Sequence, residues 1–165
     1  MKFIRYIDGN KKPQTGWVQD DLVGVVDGDI YGSFKRQECT IPLSKVHLLP
    51  PVVPSKIIGV GRNYAEHARE LGNQLPNEPV IFLKPPSSVI AHRELIVLPS
   101  ESKQVEFEGE LGIVIGKHSR AIPANQVRSI ILGYTIANDV TARDLQKSDP
   151  QWTRAKGFDT FCPLG

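Results

Sequence analysis

The sequence predicts a β-rich α+β chain: a small β-meander at the N-terminus, followed by a second unit in which strands outnumber short helices. Short alternating or β-branched apolar runs recur along the whole length, while helical periodicity is confined to brief stretches. A proline-rich segment, Leu49-Pro50-Pro51-Val52-Val53-Pro54, divides the two units. Prolines fix φ and remove backbone donors, so this segment can continue neither a helix nor a central strand and reads as a linker. The expected division is residues 1–54, a small β domain with its linker, and residues 55–165, the second domain.

In the first unit, strands are expected from Lys2 to Ile7, Gly16 to Gln19, Leu22 to Val26 and Ile30 to Phe34, the last two flanking the turn Asp27-Gly28-Asp29. The second unit opens with Ile57-Ile58-Gly59-Val60-Gly61, a candidate buried strand, and then Arg62. Asn63 suits a helix N-cap, and Glu66 three residues on can return a bond to the cap's own N–H. A helix from Tyr64 to about Leu71, closed by Gly72, follows from that signature. Further strands are expected from Val80 to Leu83, stopped by Pro85-Pro86, from Leu95 to Leu98 and from Val105 to Ile115. A helical stretch from Pro123 to Ser129 then leads into a strand from Tyr134 to Ala137.

Composition narrows the function classes. The 165 residues are 40% hydrophobic and 23% charged, ordinary globular usage, with a net charge of +2 and both signs interspersed. No Lys/Arg track suited to a phosphate backbone is present, so nucleic acid is not expected as a partner. No run approaches the ~18 apolar residues of a membrane span, and Met1 to Asp8 is charged and short of apolar length; a cytoplasmic protein with no membrane partner is expected. Cys39 and Cys162 lie far apart and outside any Cys-x-x-Cys pair, so reduced structural thiols are expected.

Four groups of residues have the chemistry of a site. In Glu106-Phe107-Glu108-Gly109-Glu110-Leu111-Gly112-Ile113, strand alternation puts three glutamates on one face and Phe107, Leu111 and Ile113 on the other. A dication such as Mg²⁺ or Mn²⁺ would offset their mutual repulsion; an amphipathic strand with a solvated acidic face has the same pattern. In Ile136-Ala137-Asn138-Asp139, an apolar strand runs into a polar turn whose carboxylate sits at the strand end, although Asn138-Asp139 also suits capping of a short helix from Thr141 to Gln146. His67 and Glu70 are spaced i,i+3 on the expected helix, where the carboxylate can orient the imidazole as a general base or simply form a surface pair. Lys84 and Lys156 could each stabilise a developing oxyanion, or be solvated.

Five motifs in order resemble the fumarylacetoacetate hydrolase family: Gly59-Val60-Gly61-Arg62-Asn63-Tyr64-Ala65-Glu66-His67; Phe82-Leu83-Lys84-Pro85; Glu106-Phe107-Glu108-Gly109-Glu110-Leu111; Gly133 through Asp144; and Arg154 through Gly165. The resemblance runs from about Lys56 to the last residue, and an ordered set is far more specific than one pattern. It implies a mixed β-roll, represented here by its N-terminal part only. It implies Glu108, Glu110 and Asp139 as ligands of Mg²⁺ or Mn²⁺, Lys156 as a catalytic lysine, and His67 with Glu70 as the dyad that activates water in acylpyruvate hydrolases. Arg62 and Lys84 match positions lining the substrate cavity, and the first unit resembles an extension that many bacterial members carry.

The expected function is divalent-metal-dependent hydrolysis of a C–C bond in a β-diketo acid, of acylpyruvate or fumarylacetoacetate type. The metal would chelate the 1-carboxylate and 2-oxo oxygens, and the departing fragment would leave as a stabilised pyruvate enolate. The same chemistry serves an isomerase or tautomerase, or an oxaloacetate decarboxylase. Family members continue beyond the Cys162-Pro163-Leu164-Gly165 segment, so the catalytic domain reads as truncated, and a non-catalytic remnant is the third alternative. Ala91-His92-Arg93-Glu94 departs from the family's Gly- and Pro-rich residues without a physical account. The expected partners are a small oxo-acid substrate and a second copy of the chain in a homodimer.

Overall fold

The structure, a computed structural model, describes residues 1–9, 12–64 and 76–165. The chain is β-rich, as its alternating runs predict. Strands β1 (Lys2–Ile7), β2 (Pro13–Gln19), β3 (Leu22–Gly28), β4 (Phe34–Pro42) and β5 (His47–Leu49) form one antiparallel sheet in the order β4-β3-β2-β1-β5. Asp20 and Asp21, both at positive φ (50° and 60°), make the two-residue turn between β2 and β3, the conformation that matches strand twist in a tight hairpin. Tyr6, Val23 and Val26 are the buried side chains of this sheet.

The strand expected from Ile30 to Phe34 is not formed. Asp29 instead organises a turn: its Oδ1 accepts the Tyr31 N–H at 2.9 Å, its carbonyl accepts the Gly32 N–H at 2.9 Å, and its own N–H donates to the Ser33 carbonyl at 3.1 Å. An aspartate that bonds the backbone two residues on competes with strand formation, so β4 starts only at Phe34.

In the second unit, β6 (Ile57–Gly61) pairs with β7 (Val80–Lys84), and β10 (Gly109–Ile115) pairs with β11 (Ile131–Asn138), both antiparallel. Two short ladders join distant segments: β9 (Val105–Glu106) with β12 (Thr141–Ala142), and β8 (Val89–Ile90) in parallel with β13 (Cys162–Pro163). The mixture of antiparallel and parallel pairing is that of the expected mixed β architecture. Two short helices, α1 (Arg143–Ser148) and α2 (Thr153–Gly157), follow β12. Among the described residues no helix is long and apolar enough to cross a membrane.

Three expectations shift. The strand from Val105 to Ile115 is broken at Phe107 and Glu108, so that β9 and β10 join different partners. Leu95 to Leu98 is not a strand; all four side chains are exposed, and the Val97 N–H is taken by Thr160 Oγ1 at 2.9 Å rather than by a neighbouring strand. The helical stretch near Pro123 is a 3-10 helix over Ala124–Ile130. Of the helix expected from Tyr64 to Leu71, residues 65–71, with His67 and Glu70, lie outside the described residues.

The core of the second unit is Val140, Ala142, Leu145, Ala155 and Phe161, with Val105 and Phe158 packed against it. Phe158 and Phe161 meet edge to face with ring centroids 5.3 Å apart. This core joins β12, α1, α2 and the segment before β13, and it therefore holds Val140, next to Asp139, and Ala155, next to Lys156.

Candidate active site

The functional side chains converge from four backbone segments, two of which are tied together at the main chain. Asp139 follows β11, and its N–H donates to the Glu108 carbonyl at 2.9 Å; one residue earlier, Asn138 Oδ1 accepts the Glu108 N–H at 3.0 Å. Asn138 and Asp139 thus fasten the end of β11 to the break between β9 and β10. They cap no helix: α1 begins at Arg143 without a side-chain cap. Lys84 arrives from the end of β7, and Lys156 from α2.

At the centre lies Asp139, only 8% exposed. Its Oδ1 accepts from Lys84 Nζ at 2.7 Å and its Oδ2 from Lys156 Nζ at 2.5 Å. Lys156 Nζ also donates to Glu108 Oε2 at 3.1 Å and stands 5.0 Å over the ring centroid of Phe82. Glu108 Oε1 accepts from Arg143 Nη2 at 2.7 Å. The same guanidinium reaches Glu106 Oε2 through Nε at 2.9 Å and Gln146 Oε1 through Nη1 at 2.6 Å.

These contacts set the electrostatics. Burial pushes the Glu108 carboxyl up, but the ammonium of Lys156 and the guanidinium of Arg143 outweigh it and leave the group below the usual carboxylate range. Glu110 goes the other way: burial raises it, the negative charges of Asp139 and Glu108 add to the rise, and the nearby Tyr64 hydroxyl opposes it. Burial lowers the Lys84 ammonium, with Asp139 opposing only in part. Removing any one member of such a buried set leaves an uncompensated charge, which is why these residues stand or fall together.

The cluster lies against a cavity of about 560 Å³, whose wall includes Arg62, Phe82, Arg143 and Trp152. Phe82 and Trp152 meet edge to face, centroids 5.7 Å apart. They can lie over β6 because Gly59 and Gly61 carry no side chains there: a Cβ on Gly59 would come within 2.2 Å of the Phe82 ring, and one on Gly61 within 2.5 Å of the Trp152 ring. Arg62, at the end of β6, holds a left-handed backbone (φ 55°) at the cavity edge.

Of the residues singled out in the sequence, Glu108, Asp139, Lys84 and Lys156 are brought into direct contact, Glu110 is within their electrostatic reach, and Arg62 lines the cavity. The alternation that put three glutamates on one face holds, but with the faces reversed from the solvated-acid alternative: the glutamates turn partly inward, while Phe107, Leu111 and Ile113 are 83%, 61% and 52% exposed. Glu106 is drawn to Arg143 instead of to the Asp139 cluster. His67 and Glu70 lie outside the described residues. Sequence reasoning did not single out Arg143, Gln146, Phe82 or Trp152; the i,i+3 spacing of Arg143 and Gln146 on α1 was the available signal for the first two.

The chemistry of the donor set fits the divalent ion that the resemblance implies. Three carboxylates are hard oxygen donors, and Glu110, raised chiefly by burial, lies within reach of the negative charges of Asp139 and Glu108. In the arrangement described, lysines do the balancing, and among the described residues no three of His, Cys, Asp and Glu stand grouped as ligands. Lys156 Nζ, between Glu108 and Asp139, is the group with which an ion would share those oxygens.

Comparison with known proteins gives this geometry a family. Residues 56–165 match the family model for the fumarylacetoacetate (FAA) hydrolase C-terminal region, and residues 1–51 match the Rv2993c-like N-terminal model. Protein Rv2993c of Mycobacterium tuberculosis is 56% identical over 124 residues, covering 75% of this chain and 47% of that protein. The mitochondrial oxaloacetate tautomerase Fahd2a of Rattus norvegicus is 47% identical over 127 residues, covering 76% of this chain and 41% of its own length. A crystal structure of 5-carboxymethyl-2-hydroxymuconate delta-isomerase from Mycobacterium smegmatis superposes with a TM-score of 0.89 at 41% identity, over 100% of this chain and 65% of that one. The chain thus spans about half the length of the curated relatives it matches. With the family model covering the whole second unit and the solved fold reproduced, this chain belongs to the fumarylacetoacetate hydrolase family.

Proposed function

We propose that the site acts on small 2-oxo acids by enolisation, moving a proton between the carbon beside the 2-oxo group and the carbonyl oxygen, in the manner of an oxaloacetate tautomerase or a dienedioate isomerase. The observation that carries this reading is the buried Glu108–Lys156–Asp139 constellation at the wall of an open cavity: an ammonium held by two carboxylates beside room for a small acid. Names of relatives support it, since a 47% identical protein is an oxaloacetate tautomerase and a 41% identical structure is a delta-isomerase.

Glu108, Glu110 and Asp139 would hold Mg²⁺ or Mn²⁺. When bound, the ion supplies Lewis-acid polarisation of the carboxylate and 2-oxo oxygens. Lys156 Nζ hands a proton to one of the two substrate atoms, carbon or carbonyl oxygen, and takes one from the other, so that the lysine ends charged as it began; its position is fixed by Glu108 Oε2 and Asp139 Oδ2. The face of Phe82, with Trp152 at its edge, keeps water from one side of that ammonium. Arg143 keeps Glu108 in place through the bond to Oε1. Arg62 at the cavity edge supplies a positive charge for an acidic substrate.

C–C hydrolysis of a β-diketo acid is the second reading. It would use the same site and add a water activated by His67 and Glu70, and the family's own description as a hydrolase favours it. The cytoplasmic location and homodimer expected from the sequence belong with these proposals.

The deciding experiment follows the enol form of oxaloacetate by absorbance with Mg²⁺ present, and hydrolysis of an acylpyruvate in parallel. Accelerated enol–keto exchange that is lost in Lys156→Met and kept in His67→Ala is expected. Exchange at the buffer rate in the folded chain would sink the enolisation proposal, and acylpyruvate cleavage lost in His67→Ala would establish the second reading.

A further inference from the structure

The sequence groups Lys84 with the substrate-binding residues, but its surroundings leave it nothing to bind substrate with. An ammonium has three N–H donors. Lys84 Nζ has three acceptors: Asp139 Oδ1 at 2.7 Å, the Val140 carbonyl at 3.3 Å and the Lys156 carbonyl. The residue is 3% exposed. We propose that Lys84 is a positioning residue, which ties β7 to the Asp139 turn and to α2 and so fixes the Asp139 carboxylate and the Lys156 backbone relative to each other without touching substrate.

The terminal torsion of an aspartate is soft and roughly two-fold, so a carboxylate held by one oxygen still swings. Asp139 gives Oδ1 to Lys84 and Oδ2 to Lys156, and holding the first aims the second. The Lys156 side chain starts from a backbone whose carbonyl bonds the same Lys84 ammonium, so both ends of the Asp139–Lys156 contact are referred to one buried atom. Arginine cannot replace it, because a planar five-donor fork does not fit three acceptors gathered round a point charge.

This inference rests on Asp139 and Lys156 being the groups that act on substrate. The test uses the 165-residue chain with ¹⁵N-labelled lysine side chains, with ammonium spectra of the wild type, Lys84→Met and Lys156→Met recorded with and without Mg²⁺ and oxalate, a planar mimic of an enolised 2-oxo acid. The wild type is expected to show a slowly exchanging Lys84 peak that oxalate leaves in place and a Lys156 peak that oxalate moves. A Lys84 peak that moves as far as that of Lys156 would overturn the proposal. In Lys84→Met, Lys156 ammonium exchange is expected to quicken and kcat for oxaloacetate enolisation to fall at least about tenfold with KM within about twofold. Unchanged Lys156 exchange, or a raised KM at unchanged kcat, would overturn it. Should oxalate move neither wild-type peak, the enolisation proposal fails, and the Lys156 exchange rate in Lys84→Met still decides the role of Lys84. Should that variant not fold, the wild-type oxalate response decides it.

Discussion

Arg143→Met removes the guanidinium that holds Glu108 while keeping an apolar stem of similar length. Arg143 and Glu108 side chains are 14% and 19% exposed, so their bond is a charge-assisted one in a largely dry setting, worth about 1.5–3 kcal/mol. The bond to Glu106 adds less, at most about 1 kcal/mol, because that carboxylate is 43% exposed. The bond to the uncharged Gln146 amide, charge-assisted from the guanidinium side alone, contributes about 1–2 kcal/mol. One guanidinium makes all three, so the terms overlap, and a net loss of about 2–4 kcal/mol at pH 7 is expected. The pH dependence has a definite sign. Glu108 sits below its usual range in the folded chain, so its contribution is full above the unfolded carboxylate value near ~4.3 and is lost as pH falls through the folded value. The gap between wild type and Arg143→Met should therefore narrow as pH drops below about 4. Urea unfolding followed by tryptophan fluorescence at pH 7 and in that acid range measures it. A loss below about 1 kcal/mol at pH 7, or an equal loss at both, would refute the clamp.

Gly59→Ala places a Cβ 2.2 Å from the Phe82 ring, and relieving that overlap should cost about 1–3 kcal/mol by urea unfolding. Because Phe82 lies beneath Lys156 Nζ, enolisation should slow as well, and a variant with wild-type stability and turnover would show that the ring has room to move. Asp144 accepts from Ser102 Oγ at 2.6 Å and from the Lys103 N–H at 2.8 Å, contacts that hold its carboxyl below the usual range. Asp144→Asn should lower the melting temperature at neutral pH, with the difference vanishing as pH falls through the depressed carboxyl value; a constant difference would assign the effect to shape and not to charge.

The outline of the fold was legible where backbone pattern decides it. Lys2 to Ile7 and Leu22 to Val26 are rich in β-branched and aromatic residues and pair as strands, and Ile136 to Asn138 delivers Asp139 to a strand end, where site residues gather. It was not legible where a side chain bonds the backbone, as at Asp29, or in the apolar run Leu95 to Leu98, where Thr160 takes the Val97 N–H. The carboxylates and Lys156 were legible through motif order. The role proposed for Lys84 was not, because it depends on carbonyls of Val140 and Lys156, more than fifty residues away, which no spacing rule encodes. Arg143 escaped for the same reason: both of its carboxylate partners come from another segment.

The proposed chemistry depends on Glu108, Glu110 and Asp139 together holding a divalent ion. Calorimetric titration of Mn²⁺ into the chain and into Glu108→Ala tests it directly. Saturable binding by the chain, lost or weakened at least about tenfold in Glu108→Ala, is expected. A folded chain that takes up no Mn²⁺, or binds it equally well without the Glu108 carboxylate, would contradict it.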